Sequence, residues 1–205
     1  MSRSPNRKLA GFTLVELMIA ICIIITVTAL AAPAIGTARA DARAARASQN
    51  LIRLGRRARA ESIAYGRAHL LRYTTASSVG SQGRMMLYRG VTSTCNSNNW
   101  LAILASPTCG VANSMCVDEL DLGDTQYNTT THTVLLRSPA FAFVDICYQP
   151  NGNMLHREIA TARFIDQNTV AGGFAFNITR AVDGVQDGVT RTVVFPLGGV
   201  PRLFR

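Results

Sequence analysis

The amino-acid sequence predicts an α+β protein: a long N-terminal α-helix, membrane-spanning in its first half, packed on an antiparallel β-rich globular head. Three observations predict it. Residues 12–32 form an apolar run with a single charge, and residues 34–65 continue with small and apolar side chains at helical spacing. From residue 67 onward, short runs rich in Val, Ile, Phe, Tyr and Thr alternate with Gly, Asn, Ser and Pro clusters. The 205 residues suit one domain with an appendage. With 48% hydrophobic and 16% charged residues, against a usual charged share of about 25%, the composition excludes wholesale disorder. A polytopic membrane protein is excluded as well, because one stretch alone is long and apolar enough to cross a bilayer.

The net charge of +9 is confined to the N-terminal third. Residues 1–72 carry 12 of the 21 Lys and Arg and three acids (Glu16, Asp41, Glu61), whereas residues 73–205 carry nine Arg and nine acids. Residues 1–11 are a polar leader holding Arg3, Arg7 and Lys8, and the run from Phe12 to Ala32 contains neither Gly nor Pro. As a helix it is about 32 Å long, enough for a hydrocarbon core of roughly 30 Å. The basic leader keeps the N-terminus cytoplasmic and places everything after Pro33 across the membrane. A secretory signal has a shorter apolar region and a small-residue cleavage site, so retention as an anchor is expected. Glu16 is the anomaly: a carboxylate at the bilayer centre costs on the order of 3 kcal/mol, less near the interface, and marks a partner.

The run Gly11-Phe12-Thr13-Leu14-Val15-Glu16-Leu17-Met18-Ile19-Ala20, preceded by the basic leader and followed by Pro33, resembles the class III signal of type IV prepilins. The resemblance implies a cut between Gly11 and Phe12 by a prepilin peptidase and N-methylation of Phe12. It makes residues 1–11 a leader peptide and residues 12–33 an assembly helix. It also implies that Glu16 meets the N-terminal amine of a neighbouring subunit, and that Pro33 sits where pilins commonly carry a kinking proline.

Residues 34–66 read as an amphipathic periplasmic helix. Ala40, Ala44, Ala47, Leu51, Leu54, Ala58, Ser62 and Tyr65 form one stripe. Arg39, Arg43, Arg46, Arg53 and Arg57 form a second, within about 80° of one another. The Arg ridge is expected to be solvated, or paired with acids of a neighbouring subunit, rather than to bind lipid or DNA phosphates.

Gly66 ends the helical pattern. Residues 67–205 form the head, with β-strands expected at Ala68–Thr75, Arg84–Val91, Trp100–Ala105, Thr133–Arg137, Phe141–Tyr148, Gly172–Thr179 and Thr190–Phe195. The helix end Ala58-Arg59-Ala60-Glu61-Ser62-Ile63-Ala64-Tyr65-Gly66-Arg67 resembles the GspH/FimT branch of pilin-like proteins. The turns Tyr148-Gln149-Pro150-Asn151-Gly152 and Phe195-Pro196-Leu197-Gly198 echo that branch. The region of about 92–131 has no counterpart there and reads as an insertion.

Cys22 is read as packing within the membrane helix. Cys95, Cys109, Cys116 and Cys147 lie in the exported part and are expected to form two disulfides, with three connectivities open. Of these, Cys95–Cys109 with Cys116–Cys147 is favoured, and closing the first loop would stabilise by about 3 kcal/mol. Zinc is disfavoured, since no C-x2-C pair occurs and His132 and His156 lack ligand spacing. Asp118, Glu119, Asp121 and Asp124 miss the EF-hand pattern and are read as a solvated turn. The three His residues (His69, His132, His156) stand apart in the sequence, without a nucleophile–base pair, phosphate loop or redox C-x-x-C, so no enzyme, metal or cofactor is expected. The sequons at Asn128 and Asn177 carry no weight outside a eukaryotic secretory route.

The tail Gly198-Gly199-Val200-Pro201-Arg202-Leu203-Phe204-Arg205 carries two Arg and an aromatic. Some FimT-type minor pilins bind DNA through an Arg-containing tail, which makes Arg202 and Arg205 DNA-binding candidates by resemblance. Pro201 and the Arg spacing depart from that pattern, and a strand end with two solvated Arg is the plainer reading. The resemblance thus implies a minor pilin or type II secretion pseudopilin in a bacterial inner membrane. Its partners are other pilin subunits, the prepilin peptidase and the membrane; the alternative is a receptor for double-stranded DNA in natural transformation.

Overall fold

A computed structural model describes residues 12–75, 82–105, 109, 114–138, 142–166, 173–183, 185–196 and 200–204, with the side chains of residues 32 and 33 left aside. The chain divides into two compact units, Met1–Arg39 and Ala40–Arg205. The first helix, α1 (Leu14–Tyr65), runs through both. The leader, including Gly11, and Arg205 lie outside the described residues.

Among the described residues of the second unit, ten strands form two antiparallel sheets. The strands are β1 (His69–Thr74), β2 (Arg84–Arg89), β3 (Cys116–Asp121), β4 (His132–Arg137), β5 (Phe143–Tyr148), β6 (Met154–Arg157), β7 (Ile165–Asp166), β8 (Phe174–Val182), β9 (Val185–Phe195) and β10 (Arg202–Phe204); the short helix α2 (Trp100–Leu104) precedes β3. One sheet has the order β3-β2-β1-β5-β6-β7 and the other β10-β9-β8-β4. The fold is therefore α+β, as the patterning predicts.

The helical stripe packs as its spacing requires. Ala40, Ala44, Ala47, Leu51, Leu54 and Ala58 are buried, and all but Ala40 join a core with Leu71, Tyr73, Leu87 and Ile146 of one sheet and Phe174, Phe176, Val193 and Phe195 of the other. Burying Leu51 and Leu54 contributes about 1.5–3 kcal/mol each. The stripe ends one turn early, because Tyr65 is exposed while Ser62 is buried and donates to the Arg59 carbonyl. Gly55 lets this helix approach closely: a Cβ there would lie 2.5 Å from Phe195 Cε1 and 2.6 Å from Pro201 Cγ.

The opposite face of the six-stranded sheet carries a second core. Leu70, Tyr88, Cys116 and Cys147 of the sheet meet Cys95, Trp100, Ile103 and Phe164, so residues 95–104 help to cover this face, while β3, from the same expected insertion, is a strand of the sheet itself. Residues Trp100–Leu104 are helix, not the expected strand. The five apolar residues are too few to fix a period, and Asn99 decides the matter by accepting from the Ala102 N–H as an N-cap. Asn98 ties the preceding loop by accepting from the backbone N–H groups of Val91 and Thr92.

The disulfides also differ from expectation. Cys95 pairs with Cys147 and Cys109 with Cys116, in place of Cys95–Cys109 and Cys116–Cys147. Pairing of β1 with β5 brings Cys147 onto the face that the Cys95 loop covers, a proximity that sequence spacing does not carry. The first bridge therefore staples the insertion to β5 across 52 residues of sequence.

Candidate functional site

The apolar half of α1 begins with an N-cap. The Thr13 backbone N–H and hydroxyl each lie 3.0 Å from Glu16 Oε2, and the Glu16 N–H donates to Thr13 Oγ1 at 3.2 Å. Thr13-Leu14-Val15-Glu16 is thus a capping box: donors left without partners at the start of the helix are satisfied inside one chain. Among the described residues both contacts of the Glu16 carboxylate end on Oε2.

Around this box every apolar side chain faces outward. Phe12 is 89% exposed, and Leu14, Leu17, Met18, Ile21, Ile24 and Leu30 are exposed with it. The helix is long and apolar enough to cross a membrane. Its hydroxyls are satisfied internally, Thr26 donating to the carbonyls of Cys22 and Ile23 and Thr28 to that of Ile24. Cys22 is exposed beside Met18, Ile19, Ile23 and Thr26 on one face. Pro33 lies inside α1, which continues past it.

The Arg ridge is partly neutralised within the chain. Arg53 and Arg57 both reach Asp118, at 3.2 and 2.8 Å, and Arg57 Nε lies 2.6 Å from Glu61 Oε1. Asp118, Glu119 and Asp121 belong to β3 and not to a solvated turn; Asp124 does sit in a turn. Arg84 pairs with Glu119 and Asp121, so the acids on this edge strand are partnered by cations of the same chain. The ridge is thus fastened at Arg53 and Arg57, while Arg39 and Arg46 stay exposed.

Arg202 is exposed on β10, an edge strand paired with β9 through Arg202↔Val194. Arg205, the other DNA-binding candidate, lies outside the described residues. His69 and His156 are buried strand residues and His132 opens β4. Among the described residues, no group of three or more His, Cys, Asp or Glu could hold a metal ion.

Two features escaped the sequence reading. Thr13 is the partner of Glu16, and the T-x-x-E spacing at the head of an apolar run is the signal for it. Asp145, fully buried in β5, accepts from Arg72 Nε and Nη2 at 2.8 Å each and from Arg157 Nε at 2.7 Å. The two guanidiniums also stack over Phe143 and Phe164. A lone acid in the apolar run Phe143–Tyr148 is the mark of such a buried pair.

No family model matches this chain, and no curated protein and no solved structure matches it.

Proposed function

We propose that this chain is a prepilin-like subunit of the GspH/FimT type, a minor pilin or type II secretion pseudopilin. In this reading it is a single-pass protein of a bacterial inner membrane, with a cytoplasmic N-terminus and a periplasmic head. Cleavage between Gly11 and Phe12 and methylation of the new terminus leave a mature chain in which Glu16 is the fifth residue. The observation that carries it is the outward-facing apolar segment of α1 headed by Phe12 and Glu16. Such a surface is stable in lipid or against other helices, and its one carboxylate needs a cationic partner when it leaves the interface.

Physical chemistry gives Glu16 two separable jobs. Inside the subunit it closes the capping box; between subunits its charge pairs with the amine of a neighbour's Phe12 and sets axial register. Glu16→Gln separates them, because Gln also closes the box but carries no charge. The test is incorporation into filaments in a host with a pilus or secretion machinery. Glu16→Ala, Glu16→Val and Glu16→Gln are expected to be processed and membrane-inserted but poorly incorporated. Normal incorporation of Glu16→Gln would remove the charge pair from the account.

The second reading, a DNA receptor, draws on the exposed Arg202. Two phosphate contacts support only weak, salt-sensitive binding. Titration with double-stranded DNA at several salt concentrations, with Arg202→Ala/Arg205→Ala alongside, decides it. Salt-dependent binding lost in the double variant supports the receptor; no binding at low salt leaves an assembly subunit.

A further inference from the structure

Three residues separate α1 from β1, and a carboxylate faces an imidazole across that connection. His69 is fully buried on the face of its sheet shared with Leu71 and Tyr73, where α1 packs. Its Nδ1 lies 3.0 Å from the Arg67 carbonyl oxygen, which can only accept, so in the neutral ring Nδ1 carries the proton. Nε2 then presents a lone pair, without a hydrogen bond, 3.4 Å from Glu61 Oε2. Two acceptors face each other, the imidazole fully buried and the carboxylate partly exposed. The remaining Glu61 oxygen holds Arg57, which in turn holds Asp118.

We propose that His69 is an acid-operated release at the α1–β1 junction: on protonation Nε2–H donates to Glu61, draws that carboxylate from Arg57, and loosens the last turn of α1 from the sheet. No other group at the junction offers the same response. From α1 the imidazole faces Glu61 and Arg57; from β2 it faces Arg89, and from β5 Tyr148; the Tyr65 ring stacks on it at 6.5 Å. The two arginines oppose a further positive charge, and Glu61 alone among these groups favours it.

Burial pushes the His69 pKa below its ordinary value, outweighing the Arg67 carbonyl and Glu61, which raise it; Arg89 and Arg57 push the same way as burial. The unfolded chain therefore takes the proton first. Stability from this site is complete above about pH 6.5, falls as pH drops from there toward the lowered folded value, and is constant below it. His156, buried against Phe174 with neither ring nitrogen hydrogen-bonded, shifts in the same direction and adds to global acid sensitivity. It lies on β6, so a local measurement separates the two.

The test is hydrogen exchange of residues 58–74 in the full chain in detergent micelles, at about pH 7.5 and about pH 5, corrected for intrinsic rates, alongside 15N spectra of labelled histidines. Protection is expected to fall several-fold at the lower pH in the wild type and in His156→Gln, and to lose that dependence in His69→Gln/His156→Gln. The neutral ring is expected as the Nδ1–H tautomer, and Glu61→Gln is expected to move its titration to lower pH. That last measurement stands even if His69→Gln fails to fold. Acid-dependent exchange of the same size in His156→Gln and in His69→Gln/His156→Gln, a ring already protonated at about pH 7.5, or an unmoved titration in Glu61→Gln overturns the proposal.

Discussion

Asp145 shows how much one residue decides in the head. It has no exposed surface, and the two arginines it holds are nearly buried, so the cluster is stable only while all three charges are present. Asp145→Ala leaves two guanidiniums without their anion and is expected to cost about 3–5 kcal/mol, read by urea denaturation in detergent. Gly55 is a second such position. Gly55→Ala gains about 1 kcal/mol of helix propensity but drives a methyl into Phe195 and Pro201, so a net loss of about 1–2 kcal/mol is expected from the same measurement. A gain in stability on that substitution would mean that α1 and the β9–β10 connection are not in close contact. Glu16 was legible in the sequence because a charge in an apolar run stands out. Gly55 was not, since its reason lies in residues 140 and more positions away.

At the level of elements, periodicity found what periodicity can find. The buried stripe of α1 and the strands β1, β2, β4 and β5 fall where apolar spacing places them. β3 is hidden in sequence by its acids, which read as a loop because their partners Arg53, Arg57 and Arg84 come from distant parts of the chain. α2 has the pattern of a strand in sequence, and the Asn99 cap is the local signal that makes it helix. The disulfides depend on which strands pair, information that no local window holds. A non-reducing peptide map is expected to yield Cys95–Cys147 and Cys109–Cys116. Cys95→Ser/Cys147→Ser is expected to cost about 2–5 kcal/mol, with the covering segment released from β5. A map giving Cys95–Cys109 would contradict the two-core arrangement directly.

For the whole molecule, the sequence divides the labour and the structure follows it. An apolar segment with outward-facing side chains and one carboxylate asks for lipid or other helices, whereas residues from Ala40 onward hold two cores of their own and ion pairs that fasten Arg53, Arg57, Arg72, Arg84, Arg157 and Arg180. That division suits the proposed assembly role, which calls for a part that exchanges membrane for filament and a head that keeps its structure throughout. In the function proposed above, α1 enters assembly after cleavage at Gly11. The direct test is the intact mass and N-terminal sequence of the chain recovered from membranes of a host carrying a prepilin peptidase. The account predicts a chain beginning at Phe12 with one added methyl group, and an unprocessed chain when the peptidase is deleted. A chain that keeps Met1 in the presence of the peptidase, or one cut beyond Ala31 and released from the membrane, would contradict it.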